Sequence, residues 1–194
     1  MQEMNNFLLT YLNNLLIENK CLENVIFLFA DTPIFFLPLF LLWFRFYFNY
    51  KNDNNWKNKL ILIFYSVVLA IAINLIIQQF VHLERPEEYL KNTWKLILEH
   101  LPDASFPSDH ASVSISFLTS LFLFWFTRYW LFILPFFIIM NLSRVIAWIH
   151  WPFDVIWGII VWIISSLIIY SIQKNNYLVK LNSYIIKIMS YLKL

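Results

Sequence analysis

Between residues 25 and 172 the chain sets one apolar stretch after another, each near the thickness of a bilayer core, and this repetition fixes the class of fold. A hydrocarbon layer of about 30 Å needs roughly 20 apolar residues of helix. Residues 60–80 meet that length most cleanly, 129–149 and 153–172 meet it too, and 111–126 fall slightly short. A further stretch, 25–48, is interrupted by Asp31, Pro33 and Pro38. Backbone groups in lipid must be satisfied within the segment, so these stretches fold as helices. The expectation is all-α: a polytopic membrane bundle of about five transmembrane helices, five or six by count, forming one membrane-embedded domain over 1–194. Asp-Thr-Pro at 31–33 is a helix-start signal, so Asp31 or Thr32 is expected to cap a helix holding Pro33 in its first turn. The alternative is a functional carboxylate inside the membrane.

Residues 5–17 alternate apolar side chains at helical spacing with Asn6, Asn13 and Asn14, the pattern of an interfacial helix. The C-terminal tail sets Tyr177, Leu181, Ile185 and Ile188 against Lys174, Lys180, Lys187 and Lys193, which suits an anionic lipid surface. Translocated loops avoid Lys and Arg. With five spans, Arg45, Lys51, Lys57, Lys59, Arg128 and the four tail lysines share one side, leaving Lys20, Arg85, Lys91, Lys95 and Arg144 elsewhere. The lysine-rich side, with the C-terminus, is therefore cytoplasmic, and segments 81–109 and 150–154 lie outside. Residues 1–6 carry Glu3 and no basic residue, the wrong sign for a secretory signal, and are read as retained.

Composition narrows the chemistry. Charged residues make up 13 % of the chain, about half the share of a water-soluble domain, while the aromatic content is too high for a disordered one. Gly158 is the one glycine, so neither a P-loop nor a dinucleotide fingerprint can be written. Cys21 stands alone and can form neither an intrachain disulfide nor a cysteine metal knuckle. A formal net charge of +2 without a basic stripe gives no reason to expect nucleic acid.

Three polar clusters fall on the outer face: Arg85-Pro86 past the second span, Phe106-Pro107-Ser108-Asp109-His110 before the third, and Ser143-Arg144, His150 and Asp154 between the fourth and fifth. Pro152 suits the first turn of a helix, which sets Asp154 in that turn and His150 just ahead of it. A carboxylate so placed folds back over the helix start, as in a capping box, and can hold one imidazole nitrogen while the other faces out. Such an imidazole is fitted to act as nucleophile or general base. Arg144 offers a planar fork that matches phosphate oxygens. Ser108 or Asp109 is expected to cap the third span, leaving N–H groups of its first turn as an anion seat beside His110. His110 can then protonate a departing oxygen while its partner attacks. Arg85 adds a second guanidinium, so positive side chains and a helix start can stabilise a phosphoryl transfer without metal.

These clusters resemble the three motifs of the type 2 phosphatidic acid phosphatase superfamily, Lys-x6-Arg-Pro, Pro-Ser-Gly-His and Ser-Arg-x5-His-x3-Asp. The third is complete in Ser143, Arg144, His150 and Asp154. The second carries Asp109 where most members have Gly, a variant that resembles the bacitracin-resistance branch of undecaprenyl-diphosphate phosphatases. The first has Gln78 at its lysine position, where Lys91 or Lys95 could substitute from the loop. The resemblance implies a phosphohistidine on His150, orientation by Asp154 and proton donation by His110. It implies phosphate binding by Arg85, Ser108 and Arg144, with Gln78 and Asp109 completing the substrate-binding set. It also implies a metal-independent, cofactor-free hydrolase of a polyprenyl diphosphate, undecaprenyl diphosphate foremost, in a bacterial cytoplasmic membrane, serving cell-wall biogenesis.

Other readings stand beside this one. Phosphatidylglycerol phosphate, phosphatidate or lipid A could be the substrate, or the chain could be a catalytically silent lipid-phosphate binder. A soluble haloperoxidase can share the constellation, because vanadate imitates phosphate, but the spans argue against it. His110, His150, Asp109 and Asp154 have the donor types for a divalent metal, although neighbouring guanidinium groups would repel one. His82 and His100 read as interfacial side chains, and Glu84, Glu87 and Glu88 as solvated loop. The aromatics of 35–48 and 122–130 read as lipid-facing bulk and interfacial belts. Asn141-Leu142-Ser143 fits a glycosylation pattern but lies within a span. Nothing in the sequence sets an oligomeric state.

Overall fold

The computed structural model describes residues 2–16, 20–50, 53–86, 105–124 and 126–191, which form seven helices with no strand among them. Glu87, Glu88, Lys91, Lys95 and His100 lie outside the described residues. Four helices are long and apolar enough to cross a membrane: α2 (Lys20–Tyr50), α3 (Asn54–Phe80), α5 (Thr127–Ile146) and α6 (Pro152–Ile172). The all-α polytopic bundle expected from the sequence is what forms. α1 (Gln2–Leu16) and α7 (Asn176–Tyr191) flank it, and α4 (Asp109–Leu123) runs through its middle.

α4 has 15 residues, about 22 Å of helix, which is short for a span. It packs against α2, α3, α5 and α6 and is mostly buried among them, so its length need not match the lipid. Small hydroxyl side chains let it approach α6 closely. Ser116 Oγ lies 3.3 Å from the hydroxyls of both Ser165 and Ser166, and Ser120 Oγ donates to Ser166 Oγ at 3.2 Å. Interhelical bonds of this kind contribute about 0.6 kcal/mol each in a membrane. Asn141 of α5 donates to Ser114 Oγ at 3.1 Å and is buried, as is Ser143, so two of the three residues of the Asn-Leu-Ser tripeptide face the bundle interior while Leu142 is exposed.

Three boundaries differ from expectation. The third span ends at Leu123 and the fourth at Ile146, because each runs into a turn that closes its backbone hydrogen bonds early. More consequential is α2, which continues without a break through Asp31, Pro33 and Pro38. Neither Asp31 nor Thr32 is a helix cap. Proline is tolerated inside a span at the cost of one helical hydrogen bond, at Pro33 the one to the Phe29 carbonyl, and Arg144 Nη1 reaches the next carbonyl along, that of Ala30, at 3.3 Å.

The aromatics of 35–48 divide. Phe35, Phe36 and Trp43 are exposed to the lipid side, whereas Phe44 and Phe48 are buried. Phe44 meets Phe126 edge to face at 5.9 Å, and Phe48 stacks on Trp56 at 5.5 Å. These rings are core at the end of the bundle opposite His150. The aromatics of this stretch thus split into an exposed set and a buried set, because one face of α2 packs on α3 and α5.

Candidate active site

The end of α5 explains the spacing of Arg144 and His150. Trp148 N donates to Val145 O at 3.1 Å and Ile149 N to Arg144 O at 3.0 Å, the bond pair of a Schellman turn. Such a turn needs one left-handed residue, and Trp148 takes it at φ 65°. A side chain there costs roughly 1–2 kcal/mol. Burial of Trp148 with Leu9 of α1 and Trp151 offsets this cost. The chain then folds back so that His150 N also reaches Arg144 O, at 3.3 Å. Side chains follow the backbone: Arg144 Nη2 lies 3.3 Å from His150 Nε2.

The other imidazole nitrogen is held differently from the sequence expectation. His150 Nδ1 donates to the Ser105 carbonyl at 2.9 Å, while the Asp154 carboxylate stands 3.7 Å away. Asp154 does fold over the start of α6, accepting from Trp151 N at 3.0 Å, and it also accepts from the Ser105 hydroxyl. Ser105 therefore bridges the carboxylate and the ring. With Nδ1 carrying the proton, the Nε2 lone pair faces Arg144. His150 is 3 % exposed, and burial lowers its pKa well below the ordinary value, aided by the charges of Arg144, Arg85 and His110. It is thus a neutral imidazole among cations.

Arg85 sits in the extended segment after α3 and is buried. Two bonds hold that segment to the other clusters: Ser105 N donates to Leu83 O, and Trp151 Nε1 donates to Glu84 O, both at 3.0 Å. Ser108 caps α4, its hydroxyl accepting from Ala111 N at 3.5 Å, and Ser108 N reaches Asp154 O at 3.4 Å. Gly158 of α6 lies against this cap. A Cβ added there would stand 2.6 Å from the Trp162 ring and 3.4 Å from Ser108 O.

Asp109 and Gln78 meet each other. Asp109 Oδ1 accepts from Gln78 Nε2 at 3.3 Å and from Asn74 Nδ2 at 2.8 Å, and Gln78 also reaches Pro107 O at 3.4 Å. Asn74 and Gln78 are one helical turn apart on α3, the spacing that puts two side chains on one face. His110 is turned elsewhere, its Nε2 lying 3.2 Å from Asp31 Oδ1, and the same oxygen accepts from Arg144 Nη1. Of the four groups weighed as metal ligands, His150 and Asp154 share Ser105, Asp109 meets Asn74 and Gln78, and His110 meets Asp31. The carboxylate in α2 thus stands between Arg144 and His110 rather than at a helix start. His82 and Glu84 are exposed.

Ser105 and Asn74 are the residues bonded to these side chains that the sequence reading did not single out. An Asn four residues before Gln78 was a signal for the last. Ser105 acts through its backbone carbonyl as well as its hydroxyl, and no sequence pattern marks a carbonyl.

The sequence model described as PAP2 superfamily matches residues 59–178, which include all three clusters. The chain is similar to the "Bacitracin transport permease protein BcrC" of Bacillus licheniformis, 29 % identical over 170 residues, covering 87 % of this chain and 80 % of that one. It is 36 % identical over 116 residues to YbjG of Escherichia coli (strain K12), which carries undecaprenyl-diphosphatase in its name; that match covers 53 % of this chain and 54 % of YbjG. In fold it is similar to the crystal structure of Aquifex aeolicus LpxE, with a TM-score of 0.69 at 21 % identity, over 87 % of this chain and 95 % of that one.

Proposed function

This chain belongs to the PAP2 superfamily, and from that premise we propose that it is an integral membrane phosphatase that removes the terminal phosphate of a polyprenyl diphosphate, undecaprenyl diphosphate foremost, through a phosphohistidine. The observation that carries the reading is Arg144, whose two amino groups reach both imidazoles: Nη2 meets His150 directly, and Nη1 meets the carboxylate that holds His110. One guanidinium between two histidines is a seat for a phosphoryl group, with Arg85 and the start of α4 adding positive charge.

The steps follow from the atoms. The His150 Nε2 lone pair forms a bond to the terminal phosphorus, and the bond from phosphorus to the bridging oxygen breaks. That oxygen keeps the electron pair and takes a proton from His110. Water then attacks the phosphohistidine, giving its proton to His110, and the N–P electron pair returns to His150 Nε2. Phosphate leaves. Ser105 and Asp154 keep the His150 ring in the tautomer that attacks.

An apolar groove of about 620 Å³ supports a lipid substrate. It lies between α2 and α5 with Phe117 of α4 in its lining, begins at Leu28 and Thr32 beside Asp31, and ends at Trp43. Twelve residues of helix from Asp31 to Trp43 give about 18 Å of wall. Similarity to YbjG, whose name carries undecaprenyl-diphosphatase, supports the polyprenyl class. The lysine count supports a head-group site on the outer face, with 1–194 acting as one membrane-embedded unit in a bacterial cytoplasmic membrane. Purified protein in detergent with EDTA is expected to release phosphate from undecaprenyl diphosphate faster than from phosphatidate, phosphatidylglycerol phosphate or lipid A. Strict dependence on added metal, or binding without turnover, would contradict the reading.

A further inference from the structure

Asp31 lies in the interior of α2, a helix that supplies none of the motif residues, yet its Oδ1 joins three elements. It accepts from Arg144 of α5 and meets Nε2 of His110 of α4 at 3.2 Å. A carboxylate in an apolar span is costly unless paired, and such residues are functional by default. It is also reachable, its side chain being 35 % exposed and that of His110 26 %.

Resting on the phosphatase reading above, we infer that Asp31 is the positioning residue of the proton donor: it holds His110 by Nε2–H, so that Nδ1 of that ring exchanges the proton with the departing oxygen and with water. It also fixes one arm of the Arg144 fork while the other arm faces His150. Each histidine is then held by one nitrogen and works with the other. When phosphorus–oxygen cleavage takes the Nδ1 proton, the ring becomes neutral and keeps its Nε2–H bond to Asp31. Water returns a proton to Nδ1 in the second step, and Asp31 is unchanged throughout. The first span thereby becomes part of the site.

The test compares wild type, Asp31→Asn and Asp31→Glu in detergent, on a long-chain polyprenyl diphosphate and on p-nitrophenyl phosphate, whose phenolate leaves without a proton. Asp31→Asn is expected to lower kcat on the diphosphate by about 10²-fold, the usual share of a placed proton donor, with the loss mainly in kcat rather than KM. Turnover of p-nitrophenyl phosphate should fall much less. Asp31→Glu keeps the charge and should recover part of the loss, and thermal melting of each variant checks that it folds. Equal losses on both substrates that glutamate does not relieve would reduce Asp31 to packing and overturn the inference. So would an unchanged kcat with tighter orthovanadate binding, the mark of a carboxylate that only fills the anion seat. A wild-type protein inert toward both substrates overturns the phosphatase reading itself, and this inference with it.

Discussion

Arg144 and His150 are joined twice, backbone to backbone where His150 N reaches Arg144 O and side chain to side chain where Nη2 meets Nε2, each at 3.3 Å. The Schellman turn between them converts a spacing of six residues into a guanidinium set against an imidazole. Any change that unwinds the turn separates the pair without touching either residue.

Ser105 is expected to matter through both of its groups. Ser105→Ala keeps the carbonyl that accepts from His150 Nδ1 but removes the hydroxyl bonded to Asp154. A bond to a buried charged group contributes about 1.5–3 kcal/mol, so kcat should fall roughly tenfold or more. Steady-state kinetics of Ser105→Ala beside Asp154→Asn checks this, and a fully active Ser105→Ala would remove the bridge from the account.

The pH dependence has a definite sign. Burial first, then the nearby cations, lower the His150 pKa below its ordinary value, so the ring stays neutral at a lower pH than a free imidazole would. The acid limb of kcat/KM that His150 sets should lie below about pH 6.5, the value for a free imidazole. Stability follows the same rule: the unfolded chain takes up a proton that the folded ring refuses, so this contribution is present above about pH 6.5 and is lost as pH falls toward the folded pKa. A pH–rate profile with its acid limb above pH 7 would contradict the assignment.

Gln78 and Asp109 predict coupling. A lysine at position 78 would find Asp109 in place to take its charge, whereas Gln78→Lys with Asp109→Gly leaves the ammonium for the ligand. The double variant should lower KM by about tenfold, one ion pair's worth when partly buried, and Gln78→Lys alone should do so less. KM values around the double-mutant cycle test this; strict additivity would show that the two residues act independently.

Gly158→Ala separates helix propensity from packing. Alanine favours a helix interior by roughly 0.5–1 kcal/mol over glycine, but its Cβ would stand 2.6 Å from the ring of Trp162, which is fully buried. Overpacking of this kind costs about 1–3 kcal/mol, so net destabilisation is expected, read as a lower melting temperature in detergent.

Much of this was legible beforehand, for physical reasons. The spans follow from apolar length, and Ser108, Arg144, His150 and Asp154 from helix ends, where sequence and geometry are tightly linked. Asp31 was harder because Asp-Thr-Pro starts a helix in water, while in a span the helix can run on through Pro33 when the carboxylate finds a partner such as Arg144. Whether that partner exists is a tertiary fact. The same holds for Ser105, whose role depends on a loop 45 residues from His150. The shortness of α4 was visible, but not that a ring of helices makes it harmless.

The most direct measurement is a brief incubation with substrate labelled in its terminal phosphate, followed by acid and alkali treatment and mapping of the labelled peptide. The account predicts acid-labile, alkali-stable label on His150, absent from His150→Ala. Label on another residue, or hydrolysis that proceeds at full rate in His150→Ala, would contradict it.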